Sequence, residues 1–119
     1  MKKIIITLCL MASLPWAHAG EYIKRNGILS LSPAVEVAKF NINASHGDTS
    51  ICEIQGEAIS IAPTKNQQRR WIYSDQSSMC VAVISQLKNG SMQVMTRDCD
   101  TFCGVSALGA MDGEYRIRQ

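Results

Sequence analysis

The sequence has 119 residues, of which 46% are hydrophobic and 18% are charged, and its formal net charge is +2. Two of its twelve basic residues are Lys2 and Lys3, which leaves ten basic against ten acidic residues in the rest of the chain. A nucleic-acid-binding protein needs an excess of basic residues on its surface, so this balance argues against a nucleic-acid partner.

The first nineteen residues have the three parts of a cleavable signal peptide. Lys2 and Lys3 are positive, residues 4–14 form an apolar stretch, and Ala17-His18-Ala19 has the small-x-small pattern of a cleavage site before Gly20. An apolar stretch of this length is too short to cross a bilayer, which needs roughly 20 residues, so an uncleaved anchor is the weaker alternative. We expect residues 1–19 to be a signal peptide, cut between Ala19 and Gly20. The mature protein is then periplasmic or secreted and does not span the membrane.

Residues 20–119 suffice for one domain with a modest core. Short runs rich in apolar and β-branched residues, separated by turn residues, predict strands along this domain. In chain order the predicted strands are Gly27–Ser32, Val35–Ile42, Ile51–Ala62, Trp71–Tyr73, Met79–Leu87, Met92–Asp98 and Glu114–Arg118. Residues 105–111 favour one or two helical turns. The sequence therefore predicts an all-β protein, a small antiparallel barrel or sandwich of six to seven strands with one short C-terminal helical turn.

The third predicted strand has apolar residues on both of its faces. Cys52 and Ile54 share one face, whereas Ile59 and Ile61 have the opposite parity. Gly56 lies between the two pairs, and a β-bulge there would turn both pairs to the same side.

Asn89 and Gly90 stand between two apolar strands and favour a two-residue type I′ turn, because both central residues of that turn need a positive φ. In the resulting hairpin the numbers of facing residues add to 179. Leu87 then faces Met92, Ser85 faces Val94 and Ile84 faces Met95. The same register places Cys80 opposite Cys99, unless a bulge shifts it.

Four cysteines remain after the signal peptide, and an even number in a small exported chain indicates two disulfides. The hairpin register favours Cys80–Cys99, with Cys52–Cys103 as the second bond. The alternative bond Cys99–Cys103 closes a very small loop and stays open at this point.

Three chemistries are poorly matched by the residues present. Structural zinc sites usually have paired C-x2-C motifs, whereas Cys99 and Cys103 have three residues between them. A C-x-x-C redox motif has only two residues between its cysteines, so the same spacing argues against a redox site. His46 is the one histidine after the signal peptide, and no G-x-S-x-G motif accompanies it. We expect no metal, no cofactor and no enzymatic activity, and a small hydrolase that uses His46 is the alternative.

Binding suits a rigid, disulfide-bonded β framework, because recognition residues usually lie on its loops. Two predicted polar loops, Asn43–Ser50 and Pro63–Arg70, supply most of the candidate residues. The candidates for contact with a partner are Asn43, His46, Asp48, Arg69, Arg70 and Trp71. Tryptophan and arginine are enriched in interface hot spots. The alternative role for Trp71 is packing in the core.

Several motifs in this order resemble small secreted bacterial proteins with a C-x3-C-G … G-x-Y ending, among them lysozyme-inhibitor-like periplasmic proteins. The motifs are Asn43 with His46, Cys52-x3-Gly56, Cys80 before the Asn-Gly hairpin, Cys99-x3-Cys103-Gly104 and Asp112-Gly113-Glu114-Tyr115. The resemblance implies a disulfide-bonded β domain that inhibits a cell-wall hydrolase. The chain lacks the Ser-Gly-x-x-Tyr loop of known c-type lysozyme inhibitors, which puts inhibition of that enzyme type in doubt.

We therefore expect a protein partner, either a lysozyme or another peptidoglycan hydrolase, and an inhibitor or immunity protein that blocks it. The alternative is a non-enzymatic, envelope-associated structural or interaction module of unknown partner.

Overall fold

The computed structural model describes residues 20–46, 50–104 and 109–118. Within these residues each strand pairs antiparallel with the next, and the last pairs with the first, so the sheet closes into a barrel. The strands are β1 (Gly20–Lys24), β2 (Gly27–Pro33), β3 (Val37–His46), β4 (Ser50–Ile61), β5 (Gln67–Ser74), β6 (Val81–Leu87), β7 (Met92–Arg97) and β8 (Gly113–Ile117). The all-β antiparallel prediction is confirmed, with eight strands in the place of six or seven.

The strand that the sequence did not predict is β1. It pairs with β2 from Gly20 to Lys24 and with β8 through Tyr22 and Ile117. Asn26 adopts a positive φ of 62° in the tight turn between β1 and β2, a conformation that asparagine tolerates better than most residues. Without β1 the sheet would have two open edges, so this short strand closes the barrel.

The core fills the inside of the barrel, where every second residue of each strand points. Burial alternates along β3, with Ala38, Phe40, Ile42 and Ala44 inside. The largest fully buried side chains of the described residues include Trp71, Tyr115, Leu29, Leu31, Ile42, Ile54, Ile84, Met92 and Met111. Burial of these apolar surfaces is the main stabilising contribution to the fold.

The predicted loop Asn43–Ser50 is mostly strand. β3 continues to His46, which pairs with Ser50 at the start of β4. Asn43 and Ser45 are polar because they lie on the outer face of the barrel, which meets solvent, while Ala44 keeps the inner face apolar.

The predicted bulge at Gly56 is wrong. The ladder between β3 and β4 keeps one register along its whole length, so Ile59 lies on the outer face with 59% of its surface exposed. Gly56 is needed for a different reason, since a Cβ atom there would lie 2.7 Å from Cε1 of Tyr73. The Tyr73 ring also packs edge-on against Phe40, with 5.2 Å between the ring centroids.

The loop predicted over Pro63–Arg70 is shorter than expected. β5 already begins at Gln67, and a bulge between Gln67 and Arg69 marks its irregular start. Arg69 and Arg70 are therefore strand residues. The sequence did not predict a strand there because this stretch is polar.

The hairpin between β6 and β7 has a different register from the predicted one. Facing residues add to 178, so Ser85 faces Gln93 and Ile84 faces Val94. Gly90 has a φ of +94°, but Asn89 does not have the positive φ of a type I′ turn. The loop is therefore a three-residue connection with glycine in the left-handed position, the other common hairpin for an Asn-Gly sequence.

Both predicted disulfides are present. Cys80–Cys99 has a Cα–Cα distance of 4.4 Å, and Cys52–Cys103 has one of 4.0 Å. The pairing of Cys80 with Cys99 does not continue the ladder, which ends at the pair Val81–Arg97. Asp98 follows with a φ of +57° and adds one residue on its strand, which brings Cys99 beside Cys80.

Among the described residues one 3-10 turn spans Asp100–Phe102. Of the predicted helical segment 105–111, Gly109–Met111 form a turn, and residues 105–108 lie outside the described residues. The predicted signal peptide, residues 1–19, also lies outside them. No helix in the described part of the chain has the length and apolar character needed to cross a membrane.

Candidate interaction surface

The two ends of the barrel differ in their connections. The disulfide end comprises the ends of β1, β3, β5 and β7 with the described residues that follow them, and it includes both disulfides. The hairpin end comprises the turns after β2, β4 and β6, together with the start of β1 and the end of β8. Alternating strand directions place every connection at one of these two ends.

The predicted binding residues do not come together. Asn43 and His46 are exposed on β3 towards the disulfide end, whereas Arg69 and Arg70 lie near the start of β5 at the hairpin end. Asp48 lies outside the described residues. The two predicted loops are thus separated by the length of the barrel.

Trp71 is a core residue, with 1% of its surface exposed. The guanidinium carbon of Arg69 lies 4.9 Å from the centroid of the Trp71 ring, within range of a cation–π interaction. This contact helps to position Arg69. Arg70 lies on the outer face, and its Nε atom is buried without a hydrogen-bond partner among the described residues.

The loop Asp75–Cys80 between β5 and β6 is a structured element that the sequence did not predict. The Asp75 backbone N–H donates to the Cys80 carbonyl oxygen at 2.9 Å. The Ser78 hydroxyl donates to the Asp75 carboxylate at 2.5 Å, and the Ser77 hydroxyl donates to the same carboxylate at 3.2 Å. These bonds hold the loop in one shape. The cluster of aspartate and serine is the signal that could have revealed such a turn.

Met79 is the residue that this loop presents to solvent. Its side chain is 79% exposed, although methionine is usually buried, and its φ is +56°. A left-handed conformation costs a residue with a side chain about 1–2 kcal/mol. Such strain persists only where the surroundings impose it, and it is often found at functional positions.

The loop is anchored covalently at its end. Cys80 follows Met79 directly, is fully buried and is bonded to Cys99. The Cys80 backbone N–H also faces the Ser78 hydroxyl at 3.4 Å. The disulfide therefore fixes the position of Met79 relative to the barrel.

A cavity of about 270 Å³ lies beside both disulfides. Its lining includes Thr96, Asp98, Asp100, Met111 and Asp112. The Asp112 carboxylate accepts hydrogen bonds from the Thr96 backbone N–H at 3.0 Å and from its hydroxyl at 2.6 Å. Among the described residues no group of three or more histidine, cysteine or acidic side chains is arranged to hold a metal ion.

No family model matches the chain. No matching curated protein and no matching solved structure was found either.

The disulfide end exposes apolar side chains next to polar ones. Met79 and Ile51 are exposed there, the latter by 56%, and His46 is exposed at the end of β3. A methionine side chain is flexible and polarisable and can fill an apolar pocket of a partner. The arrangement is therefore suited to protein recognition.

Proposed function

We propose that this protein is an exported binding protein of the periplasm, and that it acts as an inhibitor of, or an immunity protein against, a lysozyme or another peptidoglycan hydrolase. The observation that carries the proposal is the strained and hydrogen-bonded loop that presents Met79 next to the Cys80–Cys99 disulfide. Export is supported by the signal-like residues 1–19 and by two disulfides, which form in oxidising compartments.

The proposed mechanism is steric and non-enzymatic. A loop that is already ordered loses little conformational entropy when it binds, so more of its contact energy appears as affinity. Met79 enters a pocket of the hydrolase, and His46 and Asn43 contact the rim from the same end of the barrel. The partner's substrate is then excluded.

The test is an inhibition titration. The oxidised protein is titrated against c-, g- and i-type lysozymes and bacterial amidases acting on purified cell wall. We expect stoichiometric inhibition of one enzyme, and a loss of affinity of at least ~10-fold for Met79→Lys, as for a central interface residue. Val35→Lys is the matched control, because Val35 is 86% exposed but lies between β2 and β3, at the opposite end of the barrel.

Equal inhibition by wild type and Met79→Lys would exclude the loop as the contact. A lack of inhibition across the whole panel would exclude the inhibitor proposal. The second candidate function, an envelope-associated structural or interaction module, would then be the better supported one. Exposed apolar residues on the outer face of the barrel, such as Ile59 and Met95, favour that candidate.

A further inference from the structure

The four methionines that the structure describes fall into two classes of exposure. Met79 is 79% exposed in its loop, and Met95 is 60% exposed on the outer face of β7. Met92 and Met111 lie in the core, with 2% and 1% of their surfaces exposed. An oxidant in solution must reach the thioether sulfur before it can react, so Met79 and Met95 are the two accessible sites.

No cysteine thiol competes with these two sulfur atoms. Thiolates react with peroxides and would otherwise consume the oxidant. All four cysteines of residues 20–119 are bonded in pairs, as Cys52–Cys103 and Cys80–Cys99. In the described part of the chain, the exposed thioethers are therefore the sulfur groups that remain open to oxidation.

The loop that carries Met79 cannot withdraw this side chain into the barrel. Cys80 follows directly and is tied to Cys99, and the Asp75 carboxylate accepts hydrogen bonds from the hydroxyls of Ser77 and Ser78. A side chain that is held in solvent keeps its sulfur accessible for as long as the protein is folded and unbound. Exposure at this position is thus a fixed property of the loop.

We propose that Met79 is a site of reversible oxidation by peroxides, and that its sulfoxide no longer binds the hydrolase. In this step the sulfur lone pair attacks one oxygen of hydrogen peroxide, the O–O bond breaks and an S–O bond forms. The sulfur loses two electrons. The proton of the transferred hydroxyl passes to the departing oxygen, which leaves as water. This inference rests on the proposed function, because it adds regulation to the same loop.

The added oxygen changes what Met79 can enter. A sulfoxide is polar and accepts hydrogen bonds, so burying it in an apolar pocket without a donor is costly. In the unbound protein the same oxygen meets water, and the fold has no reason to change. Oxidation at Met92 or Met111 would instead place a polar group in the core. Oxidation at Met79 therefore acts on binding and can be reversed by methionine sulfoxide reductases.

The first part of the test locates the modification. The disulfide-bonded protein is treated with hydrogen peroxide, and mass spectrometry of its peptides measures the addition of one oxygen atom at each methionine over time. We expect Met79 and Met95 to be modified before Met92 and Met111, and methionine sulfoxide reductases to restore them. Oxidation of the two core methionines as early as Met79 would overturn the assignment of the site.

The second part measures inhibition of the hydrolase found in the titration described above. Peroxide treatment should weaken inhibition by wild type ~10-fold, as expected for the loss of a central interface residue. Met79→Leu keeps an apolar side chain without sulfur, so it should inhibit equally before and after treatment. Met95→Leu is the matched variant, and it should lose inhibition as wild type does. Far-ultraviolet circular dichroism checks that each treated protein is folded.

The untreated protein separates the two ways in which this account can fail. If it inhibits one hydrolase and peroxide treatment leaves that inhibition unchanged, the regulation is overturned and the proposed function stands. If it inhibits no hydrolase, the proposed function fails and the regulation fails with it. Loss of inhibition by treated Met79→Leu would assign the effect to another residue and would also overturn the proposal.

Discussion

The two ends of the barrel are held together in different ways. At the hairpin end, short turns such as Lys88–Gly90 join strands that are already paired, and backbone hydrogen bonds hold them. At the disulfide end, the segments Asp75–Cys80 and Asp98–Gly104 are longer and irregular, and both disulfides lie there. Irregular segments lose more conformational entropy on folding for each hydrogen bond they make. The covalent bonds are therefore found where the ladder of hydrogen bonds ends.

The largest expected effect is at the disulfide end. Replacing Cys80 and Cys99 together with alanine should lower the free energy of unfolding by ~2–5 kcal/mol, the usual cost for a small exported domain. Urea denaturation of wild type and variant measures the difference. An unchanged free energy of unfolding would show that the hydrogen bonds of the loop Asp75–Cys80 suffice to hold this end.

A smaller effect is expected at Tyr115, inside the barrel. Its hydroxyl is buried and donates to the Met111 carbonyl oxygen at 2.7 Å. Tyr115→Phe leaves that carbonyl without its donor and should cost ~1–2 kcal/mol in urea denaturation. A variant as stable as wild type would mean that water or another donor replaces the hydroxyl.

The free energy of unfolding should also depend on pH in the alkaline range, through Tyr115. Burial, and secondarily the nearby Asp112 carboxylate, raise the pKa of its hydroxyl well above the usual value. The unfolded state ionises near pH 10, while the folded state keeps its proton, so stability should fall as pH rises above about 10. Tyr115→Phe should lose less stability over this range than wild type does. If the free energy of unfolding falls equally steeply with rising pH in the two proteins, this assignment is contradicted.

The smallest effect is expected at the hairpin end. Gly90 has a φ of +94°, and a Cβ atom added there would meet nothing within 4 Å. Gly90→Ala should therefore cost only the backbone penalty, ~1 kcal/mol. Gly56→Ala is the comparison, because its Cβ would collide with the Tyr73 ring and should cost more. The reverse order in thermal denaturation would contradict the packing described for Gly56.

Much of the fold could be predicted because the core pattern is regular. Alternation of Ala38, Phe40 and Ile42 predicts a strand with one buried face, and cysteines in an exported chain predict disulfides. The predicted register of the hairpin was off by one residue, because Asn-Gly fits both a two-residue and a three-residue loop. The predicted pairing of Cys80 with Cys99 is nevertheless confirmed, because Asp98 adds one residue to its strand and so brings Cys99 beside Cys80.

The elements that could not be predicted depend on tertiary context. β1 is short and carries Glu21 and Lys24, so its sequence has little strand character before β2 and β8 lie beside it. The start of β5 is polar because its outer face is solvated. The presentation of Met79 depends on hydrogen bonds within its loop and on the adjacent disulfide, which periodicity does not reveal.

The disulfide end presents Met79 in a fixed position relative to the barrel. Backbone ¹⁵N relaxation of the oxidised protein tests it most directly. We predict order parameters of about 0.85 for Ser77, Ser78 and Met79, equal to those of the barrel strands. Values below about 0.6 for these residues would show a flexible loop and would contradict the pre-organised binding surface.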